Sequence, residues 1–194
     1  MNQPNLHAPD WSQIPAPTDD GGAKHLKGMT VPPVSLKATD DTMVKLSALK
    51  GRTVVFAYPR TGEPGKIALV DDWDMIPGAR GCTPQTCAFR DLFAELKAAG
   101  AAQVFGLSTQ SNEYQAEMAS RLHLPFPVLS DEKLKLTHAL ELPTMEVAGL
   151  TLIKRLALIV DDARITHVFY PVFPPDRNAG DVLEWLKENR TSSS

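Results

Sequence analysis

Short apolar runs alternate with amphipathic runs from Thr53 to Asn189. A chain built this way folds most simply as a sheet covered by helices, so this pattern constrains the fold more than any other feature. Thr53-Val-Val-Phe-Ala-Tyr58 reads as a buried strand stopped by Pro59. Thr83-Pro84 and the TCAFRDLFAELKAAG run predict one helix, with a capping residue, proline at its first position and Gly100 at its end. Gln103 to Ser108 predicts a second buried strand. Ser111 caps a helix running to His123, whose Tyr114, Met118 and Leu122 fall four apart on one face. PFPVLSD supplies a short strand, and a helix follows near Glu132 to Leu140. Arg155 to Val160 and Ile165 to Phe169 predict a hairpin across Asp161 to Arg164. Asn178 to Asn189 predicts a closing helix capped by Asp176 or Asn178. Ahead of these, VSLKATD and MVKLSAL alternate around Asp40-Asp41 as a hairpin does. The expected fold class is α/β, a central mixed sheet with helices on both faces and an N-terminal β-hairpin.

A chain of 194 residues, 43% of them hydrophobic, buries one ordinary core. Residues 1–29 carry Pro4, Pro9, Pro15, Pro17 and Gly21-Gly22 with little apolar periodicity. They read as an N-terminal extension lying over the surface or partly disordered. Residues 30–190 form the expected domain and 191–194 a tail. Within the domain, residues 60–81 hold TGEPG, Asp71-Asp72 and IPGARG, a long loop of the kind that is functional or mobile.

Composition removes several function classes. The formal charge of -3 gives no basic excess for a phosphate backbone, so no nucleic-acid partner is expected. No run approaches the roughly 20 apolar residues of a membrane span. The start MNQPNLHAPDW has neither a basic region nor an apolar stretch, which argues against a secretory signal and for a cytoplasmic protein. Two cysteines are too few for a disulfide scaffold, and no Cys/His set has zinc-like spacing; neither metal nor other cofactor is expected. The five histidines are scattered and read as surface or capping residues, which speaks against a Cys-His hydrolase. Trp73 and Trp185 read as packing residues.

The chemistry lies in GCTPQTCAFRD. Cys82 sits just before or within the first turn of a helix, where unpaired N–H groups and the helix dipole favour a thiolate. Gly81 before it and the polar TPQT after it argue against burial, so Cys82 reads as a nucleophile. Cys87 lies five residues on. Five helical residues span a rise of about 7.5 Å and a rotation of about 140°, which puts the two Cα atoms roughly 8 to 9 Å apart. A disulfide rarely spans more than about 7 Å. If the two pair, the first turns of the helix must unwind, and Pro84, which donates no hydrogen bond, lowers that cost. Otherwise Cys87 packs on the apolar face with Phe89 or Phe93.

This segment resembles the peroxiredoxins of the bacterioferritin-comigratory or Q type, in the redoxin superfamily. Tyr58-Pro59, Gly81-Cys82-Thr83, Cys87 and Phe89-Arg90-Asp91 carry the resemblance, which continues through VFGLSTQS, LPFPVLSD and Arg155 ahead of LALIVD. It implies a thioredoxin-like fold and a thiol peroxidase that reduces hydrogen peroxide or organic hydroperoxides through a Cys82 sulfenic acid. Resolution by Cys87 as an intramolecular disulfide and recycling by thioredoxin or a similar dithiol are implied with it. Arg155 takes the place of the family's active-site arginine, and a monomer or weak dimer is expected.

One departure from the family pattern stands out. The family spaces its residues P-x-x-x-T-x-x-C, whereas here extra residues separate TGEPG from GARGC and Ala79 stands three before Cys82. Thr61 and Thr83 are the candidate hydroxyls, with Pro59 and Arg80 as further candidates for positioning the peroxide. Lowering a thiol pKa from about 8.5 to about 6 raises the thiolate fraction near neutral pH by roughly tenfold or somewhat more. The weaker base loses roughly tenfold in reactivity at a Brønsted slope of about 0.4 to 0.5. The two effects nearly cancel, so rate depends on donors that hold the O–O bond in line and stabilise the leaving oxygen. Two other readings compete: a protein disulfide oxidoreductase, which normally uses C-x-x-C, and an inactive thioredoxin-like binding module with the 60–81 loop as its recognition surface.

Overall fold

The computed structural model describes residues 9–190. The expected residues 191–194 and the first eight of the extension lie outside them. In chain order the elements are β1 (Ser35–Ala38), β2 (Met43–Lys45), β3 (Arg52–Ala57), α1 (Cys82–Asp91), α2 (Phe93–Ala98), β4 (Gln103–Ser108) and α3 (Asn112–Arg121). They continue with β5 (Val128–Ser130), α4 (Lys135–Ala139), β6 (Thr144–Val147), β7 (Leu150–Ile153), β8 (Leu156–Asp161), β9 (Arg164–Phe169) and α5 (Asn178–Glu188).

Seven strands form one sheet in the order β2-β1-β5-β4-β3-β8-β9. Its centre, β5-β4-β3, is parallel, and β1 and β8 close on it antiparallel. This is the mixed sheet that the strand and helix alternation predicts, with β1-β2 as the N-terminal hairpin.

Side chains of β3 alternate between two cores, as the period of a strand requires. Val54 and Phe56, with Tyr58 beyond the strand's end, join Phe89, Leu96, Met118, Val182 and Leu186, so α1, α2, α3 and α5 cover this face. Val55 and Ala57 join Leu107, Leu129, Leu158 and Leu136 of α4 on the other. Residues 9–29 of the expected extension also reach that second core, where Ala23 and Leu26 are buried. Phe56 stacks on Phe89 with ring centroids 4.1 Å apart, which fixes the α1 helix over the end of β3.

Several local expectations are corrected. The helix expected as one from Thr83 to Gly100 is two, separated by Leu92 at ψ 6°. No proline or glycine marks that break. Its N-cap is Gly81, not a Thr83-Pro84 start, so Cys82 is the first helical residue and Pro84 the third. The β6-β7 hairpin was not expected; it turns on Ala148 and Gly149, both left-handed at φ 50° and 77°. Gly149 between alternating apolar residues was its available signal. The α4 helix is shorter than expected because Asp131, itself buried, accepts from the Leu136 and Thr137 N–H groups and the Thr137 hydroxyl. Neither Asp176 nor Asn178 caps α5, since both carboxamide and carboxylate serve long-range partners. Trp185 packs as expected, stacked on His167 with the Arg52 guanidinium over its ring.

Candidate active site

The strand β3 delivers Tyr58 and Pro59, both buried, to the base of the site. Tyr58 N–H continues the ladder to the Leu107 carbonyl at 3.2 Å, and its hydroxyl donates to Gln115 Oε1 at 2.8 Å. Burial pushes the Tyr58 phenol above its usual range, and the charge of Cys82 pushes it in the same direction.

Cys82 opens α1 behind Gly81, whose φ of 111° is a left-handed value that suits glycine. The expectation that Cys82 escapes burial is wrong: only 3% of it is exposed. The polar run TPQT that argued for exposure is itself partly buried and satisfied inside. Gln85 Nε2 donates to Asn178 Oδ1 at 3.0 Å, and the Thr86 hydroxyl donates to the Cys82 carbonyl at 2.8 Å. The Cys82 thiol donates to the Ala79 carbonyl at 3.6 Å. At the position where the resemblance calls for a threonine hydroxyl, this chain therefore turns a backbone acceptor toward the sulfur.

Arg155 stands one residue before β8, 3% exposed. Its Nη2 donates to the carbonyls of Gly78, Ala79 and Arg80, each at 3.1 Å, and to Cys82 Sγ at 3.3 Å. Its Nη1 donates to Gln85 Oε1 at 2.6 Å. These partners are neutral dipoles and a sulfur, not a carboxylate. The guanidinium is thus fixed by the end of the 60–81 loop and by Gln85, with one nitrogen held against the sulfur. Its Nε is buried with no partner among the described residues.

The remaining candidates separate by place. Thr61, Thr83, Arg80 and Cys82 line one cleft of about 200 Å³, together with Pro9, Arg60, Gly62, Trp73, Gly81 and Pro84. Thr61 is brought there although it precedes Cys82 by the whole loop. Its N–H and hydroxyl donate to Gln110 Oε1 at 2.9 and 3.2 Å, and Gln110 Nε2 returns to the Thr61 carbonyl at 3.1 Å. The Arg80 side chain turns to an ion pair with Asp74, 41% exposed, while its carbonyl serves Arg155. Pro59 lies buried behind the cleft rather than in its lining. Trp73, read from sequence as packing, lines the cleft and is half-buried. Gln85 and Gln110 were not singled out from sequence. Gln85 lies three residues after Cys82 on the same helix face, which was a usable signal; Gln110 sits inside VFGLSTQS with none of its own.

Cys87 is free and half-buried near the middle of α1, and so is unpaired with Cys82. Burial raises its thiol above the ordinary value, with Arg90 opposing that shift. Both cysteines being helical, the separation derived from helix geometry applies here.

Comparison with known proteins settles the family. A family model described as Redoxin matches residues 26–183. The chain is 33% identical over 185 residues to "Peroxiredoxin Q, chloroplastic" of Sedum lineare, covering 93% of this chain and 89% of that one. The chain belongs to the peroxiredoxins, of the Q type. This peroxiredoxin is also 32% identical over 167 residues to "Peroxiredoxin Bcp" of Escherichia coli strain K12, across 84% of its own length and 96% of that protein. Among solved structures it is similar to peroxidoxin BcpB of Mycobacterium tuberculosis, with TM-score 0.69 and 27% identity, covering 86% of this chain and all of that one. The thioredoxin-like fold and the thiol peroxidase class expected from the motifs stand. Neither the disulfide oxidoreductase nor the inactive binding module is favoured.

Proposed function

We propose that this peroxiredoxin reduces hydrogen peroxide and organic hydroperoxides at Cys82, with Arg155 as the donor that holds the peroxide and Cys87 as the resolving thiol. The observation that carries the reading is the 3.3 Å contact from Arg155 Nη2 to Cys82 Sγ, the cysteine itself lining a cleft that also holds two threonines. The Cys82 thiolate attacks one peroxide oxygen; the S–O bond forms as the O–O bond breaks, and the second oxygen leaves as water or alcohol after taking a proton. Arg155, positive and buried, stabilises charge on that departing oxygen. Thr61 and Thr83 flank the same space as hydroxyls for the peroxide, Arg80 forms part of its wall, and Pro59 backs it from behind.

Cys87 then attacks Cys82 Sγ, forming the disulfide and expelling water, after α1 has unwound enough to bring the sulfurs together. A thioredoxin-type dithiol restores both thiols by exchange. The same proposal places the protein in the cytoplasm as a monomer or weak dimer, built as a 30–190 domain with an N-terminal extension. No helix among the described residues is long and apolar enough to cross a membrane.

One equivalent of hydrogen peroxide is expected to convert the reduced protein to a Cys82–Cys87 disulfide, read as a loss of two hydrogens by mass spectrometry. Cys87→Ser is expected to accumulate sulfenic acid on Cys82. Thiols unchanged by peroxide would refute the reading.

A further inference from the structure

We infer that Trp11, in the N-terminal segment, is a positioning residue for disulfide formation: it holds Gly81 and the first turn of α1 in the peroxide-reactive form, and so sets how long the Cys82 sulfenic acid waits for Cys87. This rests on the peroxidase reading above.

Three contacts join the segment to the site. Trp11 lies in a 3-10 turn, Trp11–Gln13, that Asp10 initiates by accepting from the Ser12 N–H at 3.1 Å. The indole Nε1 donates to Asp176 Oδ2 at 3.2 Å, and the ring meets Phe173 edge-on with centroids 6.1 Å apart. The far edge of the indole then closes on Gly81. A Cβ at Gly81 would lie 2.8 Å from Trp11 Cη2 and 2.5 Å from Pro175 Cγ, so the two rings press directly on that backbone. Pro9, two residues earlier, forms part of the wall of the Cys82 cleft.

Gly81 is where opening of the helix begins. Its carbonyl accepts the Gln85 N–H at 3.0 Å, the first hydrogen bond of α1. Unwinding the first turns to bring Cys87 to Cys82 breaks that bond and frees Gly81 from its left-handed conformation, and the Trp11 and Pro175 contacts go with it. A contact made in the folded form and lost in the open one biases the equilibrium toward the folded form by its own free energy.

The folded form is also where a second peroxide can reach the sulfenate. That reaction forms a second S–O bond as another O–O bond breaks. Sulfur goes from sulfenic to sulfinic acid, and the peroxide is reduced to water or alcohol. Trp11 therefore sets a competition between resolution by Cys87 and overoxidation by peroxide.

Stopped-flow oxidation followed by thiol mass spectrometry tests this. Trp11→Ala is expected to speed Cys82–Cys87 disulfide formation about tenfold, and to raise by about tenfold the peroxide concentration at which half of Cys82 becomes sulfinic acid. Asp176→Ala, which leaves the indole ring against Gly81, is expected to shift both in the same direction by about two- to threefold. A role confined to stability would slow reactions at Cys82 and speed none, so the faster resolution is the diagnostic. If Trp11→Ala does not fold by circular dichroism, Asp176→Ala and Trp11→Phe carry the test. Equal or slower disulfide formation in a folded variant, or an unchanged dose for overoxidation, overturns the inference. A wild-type protein that forms no Cys82–Cys87 disulfide at all refutes the peroxidase reading instead.

Discussion

Cys82 and Cys87 lie on the same helix in unlike surroundings. At Cys82 the sulfur is enclosed, with Arg155 and the Ala79 carbonyl on it, Gly81 pressed between Trp11 and Pro175, and Gln85 tied to Asn178. Cys87 is half-buried and feels the charges of Arg90, Asp91 and Arg121, and Arg90 itself donates to Asp91 and the Leu122 carbonyl. A nucleophile gains from fixed geometry, because the peroxide must be met in line. A resolving thiol gains from the opposite, because it must travel. One short helix carries both thiols, with Cys82 enclosed at its first turn and Cys87 half-buried in its second.

The sharpest test of that contrast is Arg155→Lys, which replaces a five-donor fork by a point charge. It is expected to lower kcat/KM for peroxide by about 10²- to 10³-fold. Arg90→Lys, beside Cys87, is expected to stay within about twofold. Equal losses at the two positions would erase the distinction between the two ends.

Gly81→Ala probes the pinned end through stability. A Cβ in a left-handed backbone, forced against Pro175 and Trp11, is expected to cost about 2 to 4 kcal/mol in urea denaturation. A loss below about 0.5 kcal/mol would show that the two rings yield easily and that the first turn is not held.

The Cys87 end is read through pH. Burial keeps the Cys87 thiol above its ordinary pKa, so its thiolate is scarce at neutral pH and grows as pH rises. The rate of disulfide formation is expected to climb through pH 6 to 9 by up to about tenfold per unit. A flat profile over that range would mean that Cys87 is already ionised, contrary to its burial.

What could be read in advance was local. The strands and helices follow from apolar periodicity over a few residues, and the hairpin at Asp161 to Arg164 from its turn residues. The two candidate cysteines are legible because both belong to one segment, GCTPQTC. The β6-β7 hairpin escaped because its strands are short and its turn pairs an alanine with a glycine. Gln110, Gln85 and Trp11 are harder, since each is held by a partner dozens of residues away.

The sequence by itself determined that two cysteines share a helix at a spacing no intact helix can bridge, and hence that disulfide chemistry here requires unwinding. It also determined Arg155 as a cation beside a buried strand. Only the tertiary structure decided that Cys82 is buried, that a backbone carbonyl faces it where a threonine was expected, and that the 60–81 loop returns its end to Arg155. The reason is physical: periodicity reports which face of an element is apolar, whereas burial of a polar turn depends on whether distant groups arrive to satisfy it.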